Sequence, residues 1–77
     1  MINLSVWNLS SDGAQRTWQG GIVAHAQVWS AGRHFNAMVE VAGTAVYVAE
    51  HESMRAGMTA CERAVRRAQR LRPDWNA

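Results

Sequence analysis

The residues able to do chemistry in this chain are few: His25, His34, His51, Cys61 and a run of arginines, Arg63, Arg66, Arg67 and Arg70. Imidazoles with a thiol are metal-ligand types, yet one cysteine and three histidines cannot build a zinc spacing of the Cys-x-x-Cys kind. The lone cysteine also excludes an internal disulfide framework. An imidazole beside a carboxylate can move a proton, and His25 lies within diagonal reach of Glu40 on the expected sheet, but no nucleophile accompanies the pair. Cys61 falls among apolar residues at helical spacing and reads as a small buried hydrophobe rather than a reactive thiol. The expectation is a protein that is not an enzyme, with no catalytic residues, no metal, no cofactor and no small-molecule substrate.

The arginines allow a different chemistry, because guanidinium forks bind phosphate or carboxylate oxygens through paired N–H bonds. Eight basic residues, all arginine, stand against six acidic ones for a net charge of +2. Residues 1–50 carry Arg16 and Arg33 against Asp12, Glu40 and Glu50, whereas residues 51–77 carry six arginines against Glu52, Glu62 and Asp74. Positive charge is therefore concentrated in the last third, although the total is modest for a protein whose affinity rests on phosphate contacts. On a helical wheel Arg63, Arg66, Arg67 and Arg70 line the face opposite Met54, Met58, Cys61 and Val65. Such a stripe serves a nucleic-acid backbone or an acidic protein groove, and it equally serves as an ordinary solvated face with Glu62 and Arg66 as an i,i+4 pair.

These residues need a frame. A chain of 77 residues, 48% hydrophobic and 18% charged, has the balance of one small globular domain covering 1–77. No apolar run approaches the roughly 18 residues of a membrane span. Met1 to Ser10 has neither a basic start nor a cleavage-type end, so a cytoplasmic protein without membrane contact is expected. Strands are expected at about 2–9, 21–30, 33–41 and 44–50, and Ser10-Ser11-Asp12-Gly13 reads as a turn cluster with strands on both sides. Turns at Ala31-Gly32 and Ala42-Gly43 would set Val28 opposite Phe35, Ala26 opposite Ala37, Ala24 opposite Val39, Ile22 opposite Val41, then Val39 opposite Val46 and Ala37 opposite Val48. After Glu50 the period changes from two to about 3.6, predicting a helix over about 54–72 with Ser53 as N-cap and Pro73 as stop. The expected fold is α+β: an antiparallel β-meander of three to four strands followed by one long C-terminal amphipathic helix packed on one face of the sheet.

One helix covers one face, which leaves His25, Gln27, Trp29, His34, Asn36, Met38 and Tyr47 on the other, together with Glu40. Aromatic and methionine side chains on a polar sheet face supply contact area to a protein partner or stack on unpaired bases, unless Trp7, Trp18 or Trp75 folds over them. The last strand, Thr44 to Ala49, has no proline and no charge before Glu50, so an edge there would be open to another chain. In topology the meander and helix over Gly21 to Arg72 resemble the later part of double-stranded-RNA-binding domains and the sheet-plus-helix DNA readers of the AP2 type; no motif is shared, and topology alone carries no function. The expected function is a small protein-binding module, an inhibitor or adaptor of phage or accessory type, acting through the open face or edge strand on a protein partner or on itself as a homodimer. The alternative is nucleic-acid binding through Arg63, Arg66, Arg67 and Arg70.

Overall fold

Alternation of small apolar with polar residues builds the sheet, and a change to helical spacing ends it. A computed structural model describes residues 6–19 and 23–71. It consists of β1 (Asn8–Leu9), β2 (Gly13–Trp18), β3 (Ala24–Ala31), β4 (His34–Val41), β5 (Thr44–His51) and α1 (Met54–Leu71). The strands form one antiparallel sheet in the order β1-β2-β3-β4-β5, so the fold is α+β with five strands rather than three or four. The additional strand is β2. Its inward residues Ala14, Arg16 and Trp18 include a charge, which hides it from a search for apolar alternation. The expected strand over 2–9 contributes only Asn8–Leu9, with residues 2–5 outside the described residues.

The β3–β4 hairpin turns at Gly32-Arg33, one residue later than expected, because Gly32 supplies φ +76° at the first turn position. Val28 therefore faces Ala37, Ala26 faces Val39 and Ala24 faces Val41. Each partner is displaced by two residues, and a shift of two leaves every side chain on its expected face. Val41, expected opposite Ile22, pairs with Ala24 instead, and Ile22 itself lies outside the described residues.

The β4–β5 hairpin turns at Ala42-Gly43 as expected, with φ +53° and +81°, the pair of positive values that a type I′ turn requires. Beyond Glu40↔Ala45, however, the register shifts, and Val39 pairs with Tyr47, Ala37 with Ala49 and Phe35 with His51. Val46 is the extra residue of a bulge. Its insertion carries Tyr47 across to the inner side of the sheet.

The core joins Ala24, Ala26, Val28, Ala37, Val39 and Val41 of the sheet to Met58, Cys61 and Val65 of α1. Alanines at the centre of the sheet let the helix come close, and Gly57 takes this furthest. A Cβ placed there would lie 3.0 Å from Val28 Cγ1 and 3.6 Å from Ala37 Cβ. Ser53 caps the helix by accepting a hydrogen bond at Oγ from the Ala56 N–H at 3.1 Å. At the far side of the sheet Gly13 runs against β3, where any Cβ would collide with the Val28 carbonyl oxygen.

Candidate functional site

Three surfaces come from this frame. The first is the outer face of the sheet. Paired residues share a face, so Gln15 and Thr17 of β2, His25, Gln27 and Trp29 of β3, and His34, Asn36, Met38 and Glu40 of β4 lie together there. On β5 the pairings place Val48 beside Met38 and Glu50 beside Asn36. Val48 is 69% exposed, whereas Trp29 and Met38 are half-buried by their neighbours. Across β3 and β4, Trp29 faces Asn36, Gln27 faces Met38, His34 faces Ala31, and His25 faces Glu40 directly and not on the expected diagonal.

Of the eight residues assigned to this face from the sequence, seven lie on it. Tyr47 is the exception, because the bulge at Val46 turns it toward α1 and Val48 takes its place beside Met38. Trp7 and Trp18 do not cover the outer face. Trp7 is buried on the helix side, where its Nε1–H donates to Glu62 Oε2 at 3.0 Å and its ring meets Trp18 edge to face at 6.1 Å. Arg16, held over the Trp18 ring at 4.3 Å, donates to the same Glu62 oxygen at 2.9 Å. Glu62 thus ties the helix to β2 and the β1 approach instead of pairing with Arg66 along the helix. Trp75 lies outside the described residues.

The second surface is the edge strand β5 and the groove between it and α1. A two-residue connection, Glu52-Ser53, returns the chain directly, so α1 runs back alongside β5. The groove has a volume of about 1200 Å³, and Val46, Tyr47, Ala60, Ala64, Ala68 and Leu71 give it an apolar lining. Arg63 and Arg67 also line it, and no acidic residue does. At its Ser53 end the Tyr47 hydroxyl and His51 Nε2 are hydrogen-bonded at 2.7 Å. Burial, and secondarily the nearby Cys61, pushes the Tyr47 hydroxyl above its ordinary pKa. The outer row of β5 backbone groups has no partner strand among the described residues.

The third surface is the arginine stripe, and the groove divides it. All four guanidinium-bearing residues are exposed, but Arg63 and Arg67 line the groove while Arg66 and Arg70 do not. A signal was available in the sequence: Arg63 and Arg67 are four residues apart and share a side with Ala60 and Ala64, whereas Arg66 and Arg70 are offset from them.

The remaining reactive groups are dispersed. His25 Nδ1 is 3.2 Å from Thr17 Oγ1, His34 Nε2 is 3.0 Å from Glu50 Oε2, and His51 meets Tyr47. Among the described residues no three His, Cys, Asp or Glu side chains gather as metal ligands would. Cys61 is buried beneath β4 with its thiol directed at the Met38 carbonyl oxygen, and burial pushes its pKa up to about 12. Compared with models of known families, with curated proteins and with solved structures, the chain matches none.

Proposed function

We propose that this chain is a non-catalytic protein-binding module, an accessory protein of the inhibitor or adaptor kind, that receives its partner along β5. The observation that carries this reading is the edge itself. It is eight residues long, contains no proline or lysine, and leaves Val46 51% and Val48 69% exposed beside an apolar groove. Natural edges are ordinarily blunted by charge, proline, a bulge or cover, because an unpaired row of N–H and C=O groups recruits another strand; β5 has only the bulge at Val46 and Glu50 near its end, which leaves Tyr47 to Ala49 regular and uncharged. Strand addition at β5 satisfies those groups, and the groove receives alternate side chains of the incoming segment. Trp29 and Met38 with Val48 extend the contact onto the outer sheet face.

The reactive groups fit this reading better than catalysis. Each histidine is engaged by a different neighbour, and a thiol whose pKa stands near 12 is neutral at pH 7 and a poor nucleophile. Recognition of a nucleic-acid backbone by the four arginines is less well supported, since only Arg66 and Arg70 lie outside the groove.

Placing the photo-crosslinking residue benzoylphenylalanine at Val48, Trp29 or Arg66 in turn, in the cells that make the protein, tests the reading. Protein adducts from position 48, with fewer from 29 and none from 66, are expected. Nucleic-acid adducts from position 66 with none from position 48 would overturn it.

A further inference from the structure

We infer that the groove between β5 and α1 takes an extended acidic segment of a protein partner, whose two carboxylates, two residues apart, pair with Arg63 and Arg67. The inference rests on the strand-addition reading of β5 and names the chemistry of the segment added.

The geometry comes from two repeats that coincide. Arg63 and Arg67 are one turn apart, so four residues at ~1.5 Å separate them by about 6 Å along the helix. Alternate residues of a strand, which point to the same side, are separated by about 6.8 Å. A segment lying beside β5 therefore presents side chains i and i+2 to the two guanidiniums in step. Residues i−2 and i+4 of the same segment fall beyond them, over the apolar parts of the groove formed by Ala60 on one side and Ala68 and Leu71 on the other. Neither Arg63 nor Arg67 makes an ion pair among the described residues, and the groove lining contains His51 but no carboxylate. Its charge is uncompensated and of one sign, which selects an acidic occupant.

A second copy of this chain fits less well. Adding one β5 to another continues the sheet, so the residues that the copy turns toward the groove are its Tyr47, Ala49 and His51, while Glu50 stays on the outer face with Asn36. No carboxylate from a paired β5 reaches Arg63 or Arg67. The homodimer satisfies the edge and leaves the arginines unanswered.

The test uses the full chain and a capped synthetic nonapeptide, Thr-Val-Thr-Glu-Thr-Glu-Thr-Val-Thr, which places valine, two glutamates and valine on one face. Binding is read by amide chemical shifts and by fluorescence anisotropy. Shifts confined to residues 44–51 and 60–71 are expected, with affinity about tenfold weaker for the peptide with Gln at both Glu positions. The Arg63→Gln, Arg67→Gln double variant should weaken the Glu peptide by a similar factor and leave the Gln peptide unchanged, which separates lost charge from misfolding. Equal binding of the Glu and Gln peptides in the groove would overturn the acidic assignment while leaving strand addition at β5 in place. Failure of both peptides to shift β5, even at millimolar concentration, would overturn both. Competition of a ten-nucleotide oligothymidylate for the groove ahead of the peptide, or a concentration-dependent dimer that excludes the peptide, would also overturn the inference.

Discussion

Replacing Gly57 by alanine sets two effects of opposite sign against each other. Alanine is favoured over glycine in a helix interior by about 1 kcal/mol. The added methyl would sit 3.0 Å from Val28 Cγ1 and 3.4 Å from Cγ2, and Val28 is 1% exposed and β-branched, so it has little freedom to turn away. Overpacking of this kind costs about 1–3 kcal/mol, which leaves Gly57→Ala destabilising by about 0–2 kcal/mol. Val28→Ala removes the obstructing methyls at a cost of about 2–3 kcal/mol, within reach of the roughly 4–12 kcal/mol expected for a chain of this length. In that background Gly57→Ala keeps the ordinary 3.6 Å contact with Ala37 Cβ, is free of the Val28 γ-methyls, and should stabilise by about 1 kcal/mol. The double-mutant cycle is thus expected to give a coupling of about 1–3 kcal/mol. Urea unfolding followed by tryptophan fluorescence measures all four corners. If alanine at position 57 stabilises both backgrounds by the same ~1 kcal/mol, the helix does not press on Val28 and the close approach argued for α1 is wrong.

Three further outcomes follow from the packing. Glu62→Ala leaves Arg16 and the Trp7 indole without their shared acceptor and should cost about 2–3 kcal/mol in urea unfolding, with Glu62→Gln losing less; a cost under about 0.5 kcal/mol would rule out that anchor. Ala42→Asn should stabilise by about 0.5–1 kcal/mol, because Ala42 stands at φ +53° where asparagine is tolerated, and a drop in thermal midpoint would count against the I′ turn. Cys61 keeps its proton in the fold when the unfolded chain has lost it, so its contribution is present below pH 9 and disappears between pH 9 and about pH 12. Tyr47 acts in the same direction, and the chain has no lysine to titrate there. The unfolding midpoint should fall on going from pH 8 to pH 11, and fall less in Cys61→Ala; identical pH profiles would show that the thiol is not buried as described.

Much of this was legible from spacing, and the parts that were not share a cause. Alternation fixes parity, so Ala24, Ala26, Ala37 and Val39 could be assigned inward even though the Gly32-Arg33 turn moved every partner by two. It does not detect a bulge. Ala45-Val46-Tyr47-Val48-Ala49 is strand-forming throughout and reads equally well in either phase, so only the register with β4 decides that Tyr47 turns inward. Strand β2 was expected only as the far flank of the Ser10–Gly13 turn, without bounds, because its inward charge, Arg16, is balanced by a residue 46 positions away, and local pairing rules assigned that residue, Glu62, to Arg66. For the groove, the helical wheel gave the arginines their face. Their division between groove and solvent is marked locally only by the alanines that flank Arg63 and Arg67, and that this side forms a groove depended on where β5 lies beside α1.

The bulge has a bearing on how the gene can change. Losing one codon inside a strand ordinarily turns every later side chain to the opposite face. Val46 is the residue that the pairing with β4 already skips, so its loss would leave Ala45 opposite Glu40 and Tyr47 opposite Val39, with every inner and outer assignment intact. An in-frame deletion is thus survivable at this one point of β5, and it would straighten the edge at the loss of one exposed side chain, Val46. A shorter strand would keep Tyr47 and the helix side of the groove in place while opening its lining where Val46 stands.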